Sequence, residues 1–327
     1  MQGFESIEIS LDVKAKGANI DFVSHAHTDH ISATRSSNKI LASEQTGKLL
    51  EGVYSISLNS RKAATPKNIR LLSAGHILGS RQLLVDNEEI GERVLYSGDF
   101  QIETPIATER IETAEADTLI IDSTYPQFGL KFDPKEEVGY ALAKWAESRL
   151  EKGIVLVSAY AIGKSQELIK LLNMHRLVPV VSSKIAKASS IYNDYGEGLR
   201  FFSAFEGNDE YESALERNFI GITEKNISKL SEALASIYGK KVFTAVATGF
   251  SKLYKFGTDA QFAISDHADF YQRLEYIERV SPKKIFTYGK EAEILAGNLR
   301  KAGYNALAYK GKTVQARAMV ELDINTL

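Results

Sequence analysis

The chain has 327 residues, of which 44% are hydrophobic and 25% charged, and 40 basic side chains face 42 acidic ones for a net charge of −2. That length allows two domains, or one domain with a large insertion, and a sizeable core. Balanced charge argues against an overall basic, sequence-independent nucleic-acid binder, although a local basic groove fits inside a neutral total. No cysteine is present, which removes disulfides, thiolate metal sites and a cysteine nucleophile together. Any metal must be held by His, Asp or Glu. Met1 to Asn19 is polar and alternating, without the apolar centre of a signal peptide. No apolar run reaches the ~18 residues of a membrane span. The expectation is a cytoplasmic protein with no membrane partner; oligomeric state is not legible.

Ile7, Ile9, Leu11 and Val13 alternate with polar residues and predict a half-exposed strand of an opening hairpin. Five short apolar runs then each lead to a metal-capable residue. The segment from Asp21 leads to His25, that from Ile69 to His76, that from Val94 to Asp99, that from Thr118 to Asp122, and that from Phe262 to His267. Short apolar runs flanked by Gly and Ser read as buried strands. Five strands delivering ligands at their ends predict one site at one edge of a sheet sandwich.

Between Asp122 and His267 the pattern changes. Pro134–Leu150 predicts a helix opened by proline, Ile154–Ser158 a strand and Lys164–Met174 a helix. Val178–Ser182 predicts a strand, Ala186–Tyr195 and Asn226–Tyr238 helices, and Val242–Thr248 a strand. This βαβα alternation predicts a parallel-sheet unit. The ligand pattern stops at its start and resumes after it, so the middle reads as an inserted domain.

The segment His25-Ala26-His27-Thr28-Asp29-His30 packs three imidazoles and a carboxylate into six residues. His25 and His27 are two apart, which no single helix face explains. A loop leaving a strand can splay them toward two adjacent metals. Imidazole and carboxylate suit zinc, and also manganese or iron. The competing reading is a polar turn with incidental histidines, yet three of the chain's six histidines fall here. His76, between Gly75 and Gly79, reads alone as a core histidine; beside the first motif it supplies the third imidazole of a metal site. Asp99, Asp122 and His267 have ordinary competing roles as a turn residue, a strand-end cap and a helix-cap neighbour.

In order, HxHxDH, GH, GD, Asp122-Ser123-Thr124-Tyr125 and Ser265-Asp266-His267-Ala268-Asp269 resemble the metallo-β-lactamase superfamily, and more narrowly the β-CASP nucleases. Within the insertion, Ala159-Tyr160-Ala161-Ile162-Gly163-Lys164-Ser165-Gln166-Glu167 resembles a segment of the β-CASP domain, and the stretch from Val181 through Tyr192 resembles its next strand and helix. The resemblance implies an α/β fold: a metallo-β-lactamase αββα sandwich with an inserted β-CASP cap. The implied boundaries are 1–130 for the first part, 131–255 for the cap and 256–327 for the return. It implies that His25, His27 and His76 hold one metal, that Asp29 and His30 hold a second, and that Asp99 bridges them. Asp122 would orient His267, which would serve as proton donor.

One departure matters. RNA-processing members of that family end a later strand in a further metal-binding His, within Val-His-Gly-Glu. Here the stretch is Thr287-Tyr288-Gly289-Lys290. A phenol with an ordinary pKa near ~10 is a poor zinc ligand at neutral pH. The expectation is one tight zinc and a second held weakly, with manganese as an alternative. Gly163-Lys164-Ser165 also invites a P-loop reading, but that motif needs glycine where Ser158 stands. Lys164, Lys184 and Lys187 are the candidate phosphate contacts. The sequence therefore points to a metal-dependent phosphodiester hydrolase acting on RNA or single-stranded DNA. The alternatives are a small-molecule metallo-hydrolase and a non-catalytic nucleic-acid-binding relative.

Overall fold

A computed structural model describes residues 6–15, 17–87, 91–203, 215–309 and 318–321. The chain divides into two compact units, Met1–Lys131 with His267–Leu327, and Phe132–Asp266. The first segment carries β1 (Ser6–Leu11), β2 (Ile20–Phe22), β3 (Lys39–Leu41), α1 (Glu44–Tyr54), β4 (Ile69–Ser73), β5 (Arg81–Asn87), β6 (Glu92–Tyr96) and β7 (Thr118–Asp122). The second unit carries α2 (Lys135–Leu150), β8 (Ile154–Ser158), α3 (Lys164–Met174), β9 (Val180–Val181), α4 (Ser183–Asp194), β10 (Phe202–Ser203), β11 (Ile220–Thr223), α5 (Ile227–Tyr238), β12 (Val242–Ala247) and β13 (Ala260–Phe262). The return segment adds α6 (Phe270–Val280), β14 (Lys284–Tyr288), α7 (Ala292–Lys301), β15 (Ala306–Ala308) and β16 (Ala318–Glu321). The fold is α/β with mixed sheets.

The first unit holds two sheets, ordered β16-β1-β2-β3 and β15-β14-β7-β6-β5-β4. In the larger sheet side chains alternate in direction, as a strand requires. Leu83, Tyr96 and Ile120 pack in one core with Ile9, Leu11, Phe22 and Leu41 of the smaller sheet. Leu84, Leu95, Leu119 and Ile121 point the other way and pack with Phe270, Tyr276 and Ile277 of α6 and Leu295 and Leu299 of α7. β4 and β6 both run antiparallel to β5, and β6, β7 and β14 run parallel. The C-terminal ends of β4, β6, β7 and β14 therefore share one sheet edge.

Two strand expectations change. β1 forms no hairpin with its neighbour: it pairs parallel with β2 and antiparallel with β16, and Ile9, Ser10 and Leu11 are buried. One face, Ile9 and Leu11, packs into the core shared with the larger sheet, and on the other Ser10 is buried with its hydroxyl donating to Asp21. β13, the fifth ligand-bearing run, pairs parallel with β12 in the second unit's sheet, so only four of the five strands belong to the first unit's sheets. That pairing also keeps residues 256–262 with the second unit.

The second unit is one all-parallel sheet, ordered β10-β9-β11-β8-β12-β13. Its central strand β8 begins with four buried apolar residues in succession, the pattern of a strand covered on both faces. Pro134 directly precedes α2, where its missing N–H costs nothing. α4 starts three residues before its expected position because the Ser182 side chain caps it, accepting from the Ile185 N–H. Among the described residues no helix is long and apolar enough to cross a membrane.

Candidate metal centre

The sheet edge explains why residues far apart in sequence converge. His76 follows β4, Asp99 follows β6, Asp122 ends β7 and Tyr288 ends β14 in register with Asp122. Two glycines let the loops bend where side chains would collide. Gly75 has φ +70°, and a Cβ there would lie 2.4 Å from the Gln101 carbonyl oxygen. Gly98 has φ +55°, and a Cβ there would lie 3.0 Å from Ser24 Cβ. His267 is clipped onto the loop after β6. Gln101 Nε2 donates to its carbonyl at 2.8 Å, and the Ala268 N–H donates to the Phe100 carbonyl at 2.9 Å.

His25, His27, His76 and Asp99 each offer a donor atom within 4.8 Å of the others. His76 Nε2 and His27 Nδ1 are 3.1 Å apart, and His25 Nε2 lies 3.6 Å from Asp99 Oδ2. Hydrogen bonding fixes the His25 tautomer. Ser24 Oγ donates to Asp12 Oδ2 at 2.6 Å, because a carboxylate only accepts. The same Oγ, 2.9 Å from His25 Nδ1, must then accept from that nitrogen's hydrogen. His25 Nε2 is left with its lone pair facing the cluster, buried and without a hydrogen-bond partner among the described residues. Burial, then the neighbouring His30 and His76, hold this imidazole well below the ordinary histidine value, with Asp99 opposing. A buried neutral imidazole whose lone pair has no proton to accept fits a metal ion.

Asp99 and His30 form the complementary charged pair, with His30 Nε2 3.2 Å from Asp99 Oδ2. Burial opposes both charges. The neighbouring His30 and His267 nonetheless hold the Asp99 carboxyl well below the carboxylate range, and Asp99 with Asp12 raises His30 well above the histidine range. Asp29 is placed differently from His30. Its side chain is 78% exposed, with Oδ2 3.8 Å from His30 Nε2. The donor group around His30 is thus looser than the first and open to solvent. A further group converges at Asp99, Asp122 and His267. His267 Nδ1 lies 3.6 Å from Asp122 Oδ2 and 4.0 Å from Asp99 Oδ2.

Tyr288 is buried, and its ring lies on that of Tyr96 with centroids 5.1 Å apart. Burial, with Asp99, Asp122 and Asp12 adding, raises its phenol well above the tyrosine range. It stands in the site as a neutral hydroxyl. Lys290 is exposed.

Two residues of this centre escape the sequence reading. Asp12 is buried in a left-handed conformation, φ +61°. It accepts from the Ser24 N–H at 2.6 Å, the Ser24 hydroxyl at 2.6 Å and the Tyr96 hydroxyl at 2.8 Å, and lies 2.8 Å from His30 Nδ1. Ile9 to Leu11 leading to Asp12 repeats the signal of an apolar run ending in a carboxylate. Arg273, on α6, is fully buried. It donates to the carbonyls of Thr124 at 2.6 Å and Tyr125 at 3.2 Å, and reaches Asp122 Oδ2 at 3.5 Å. Nothing in the amphipathic pattern around it marks it.

The three candidate lysines part company. Lys164 is buried at the start of α3, its ammonium 2.6 Å from Asp266 Oδ1. Its charge is matched inside the second unit, to which Asp266 also belongs. Lys184 is half-buried in the first turn of α4, and Lys187 is exposed on the same helix.

No family model matches the chain. It is 29% identical over 300 residues to a protein named probable DNA ligase from Opitutus terrae, a match covering 88% of this chain but 28% of that protein. It is 34% identical over 148 residues to a protein named for the lig 3′ region of Acidianus ambivalens, covering 43% of this chain and 98% of that one. It is 26% identical over 219 residues to an RNase J-like protein of Methanocaldococcus jannaschii, covering 56% of this chain and 52% of that one. The chain thus spans little more than a quarter of the ligase-named relative.

Proposed function

We propose that the chain is a member of the β-CASP family of the metallo-β-lactamase superfamily, and that it is a metal-dependent phosphodiester hydrolase acting on RNA or single-stranded DNA. The convergence of His25, His27, His76 and Asp99 within 4.8 Å carries the reading. We assign the first unit to the αββα sandwich and the second to the β-CASP cap.

His25, His27, His76 and Asp99 would hold the principal metal. Zinc is our choice, because three imidazoles and a carboxylate suit it and no thiolate is present; manganese is the alternative. Asp29 and His30, with Asp99 shared, would hold a second ion more weakly, because one donor is exposed and Tyr288 is a neutral phenol. Metal bound there supplies Lewis-acid stabilisation of charge on an attacked phosphodiester and lowers the pKa of an adjacent water.

The protein's own groups do the rest. His267 holds the proton that the departing oxygen needs when the P–O bond breaks. Asp122 orients the His267 ring from 3.6 Å, and Arg273 holds Asp122. Asp12 orients His30 through its Nδ1. Lys187, exposed on α4, remains a candidate phosphate contact, with half-buried Lys184 secondary.

The names of the relatives support both strands: the ligase-named protein the DNA arm, the RNase J-like protein the RNA arm. The deciding experiment incubates end-labelled single-stranded RNA and DNA with zinc or manganese. Wild type is expected to cleave one or both, and Asp99→Ala neither. Full hydrolysis by Asp99→Ala would refute the proposal, and the product ladder separates exonuclease from endonuclease action.

A further inference from the structure

Asp122 and His267 arrive on two separate chain segments, and each segment continues into an exposed aromatic residue. Phe128 is 74% exposed and Tyr271 is 42% exposed. Phe128 follows Asp122 by six residues, and Tyr271 follows His267 by four.

The backbone displays Phe128 deliberately. The Leu130 N–H donates to the Gln127 carbonyl at 3.1 Å, closing a turn across Phe128 and Gly129. Gly129 supplies φ +89°, the positive value that the third position of a type II turn requires. Phe128 is therefore the outward second residue of a fixed turn. Asn298 Nδ2 on α7 anchors the preceding residue by donating to the Pro126 carbonyl at 2.9 Å. One buried ring supports the display: Phe270, at the start of α6, has its centroid 5.6 Å from that of Phe128. Tyr271 completes the group, with its ring centroid 6.1 Å from Phe128.

An apolar ring on a turn adds little to a core it does not enter, and two such rings side by side form an exposed patch. This patch is tethered to the proposed chemistry. Phe128 is three residues from Tyr125, whose ring meets the His267 ring edge-on at 6.1 Å. Three residues of chain span at most about 11 Å, and the four from His267 to Tyr271 at most about 14 Å. Lys131, exposed just beyond the turn, adds a cation for a phosphate.

We propose that Phe128 and Tyr271 form a stacking platform for unpaired nucleobases of the strand whose phosphodiester lies at the His267 site. A base offers a π-face whatever its identity, whereas bases paired in a duplex are stacked on one another and unavailable. The platform thus selects single strands over duplex without reading sequence. This rests on the hydrolase reading for the position of the strand, but binding alone tests it.

The experiment uses the full chain in chelator, with fluorescence anisotropy of short labelled single strands. Each strand is made in ribose and deoxyribose forms, and each with and without bases. Wild type is expected to bind the base-containing strand more tightly than its abasic counterpart. Phe128→Ala and Tyr271→Ala are expected to weaken the base-containing strand about 5- to 100-fold and so narrow that gap, whereas Phe128→Trp keeps it. The melting temperature of Phe128→Ala should match wild type, because the ring is mostly in solvent. Equal affinity of wild type for the two strands, or equal weakening of both by the alanine variants, overturns the platform. Base discrimination by a metal-loaded protein that cleaves nothing would support the platform and refute the hydrolase reading. Cleavage without discrimination would do the reverse. The ribose and deoxyribose arms identify the strand.

Discussion

Asp12 Oδ2 lies 2.8 Å from His30 Nδ1. The contact joins the end of the first strand to the last residue of the HxHxDH motif. It turns His30 so that its other nitrogen faces Asp99 at 3.2 Å. Because Ser24 bonds the same carboxylate and the His25 ring, Asp12 sets the orientation of two imidazoles at once. Asp12→Asn separates charge from backbone, since asparagine tolerates the left-handed conformation that φ +61° requires. Its amide N–H would face the Ser24 N–H donor at the Oδ1 position even in the orientation that keeps an oxygen toward Ser24 Oγ, Tyr96 and His30. Metal affinity is expected to fall about 10- to 100-fold, read by competition against a chromophoric chelator. Wild-type affinity in Asp12→Asn would show that His30 and His25 are oriented by other means.

Much of this centre was legible because its signals are local. An apolar run ending in His or Asp marks both a buried strand and the residue at its edge, and His76, Asp99 and Asp122 all carry that mark. The second unit was legible for the same reason, since β8 and α3 have the lengths and periodicities of their types. Strand pairing was not. β1 alternates like a half-exposed strand, and only its distant partner β16 makes it interior. Arg273 was invisible because its partners, Thr124 and Tyr125, lie about 150 residues away in sequence. The Lys164–Asp266 ion pair was not legible, because the two residues lie 102 positions apart in sequence.

Arg273 stabilises the turn that follows Asp122. Its guanidinium satisfies two backbone carbonyls and faces a carboxylate, all buried. Arg273→Met would leave that carboxylate without its cation. The expected loss is about 3–5 kcal/mol, the range for removing one partner of a buried ion pair. Arg273→Lys should fall between wild type and methionine, because a single ammonium cannot span the acceptors that the planar fork reaches. Urea unfolding in chelator measures both. Methionine and wild-type midpoints that coincide would show that the guanidinium does not hold the turn.

Tyr288 offers a neutral hydroxyl where the family resemblance implies an imidazole. Wild type is expected to retain about one zinc per chain after desalting through chelator, held by half-buried His27 together with the buried His25, His76 and Asp99. Tyr288→His should raise that number toward two, and Tyr288→Phe should leave it unchanged. Elemental analysis of desalted protein reads the stoichiometry directly. Two zinc ions retained by both wild type and Tyr288→Phe would show that the second site needs no donor from this strand.

In the metal-free protein His25 and His30 make stability depend on pH with opposite signs. Burial, aided by His30 and His76, depresses the His25 pKa in the folded state. Below the ordinary value of about 6.5 the unfolded chain binds the extra proton, so this contribution is lost as pH falls. Burial also disfavours the His30 charge, but Asp99 and Asp12 outweigh it and raise the folded pKa. That contribution is fully present below about 6.5 and is lost as pH rises through the raised folded value. The Asp99 partner stays ionised throughout, because its carboxyl is held below the usual range. The chelated protein should therefore melt highest near pH 6.5 and lower on either side. His30→Gln should remove the decline on the alkaline side and keep the one on the acid side. A melting temperature that climbs steadily through neutral pH in wild type would mean that the His30–Asp99 pair is not charged in the metal-free fold.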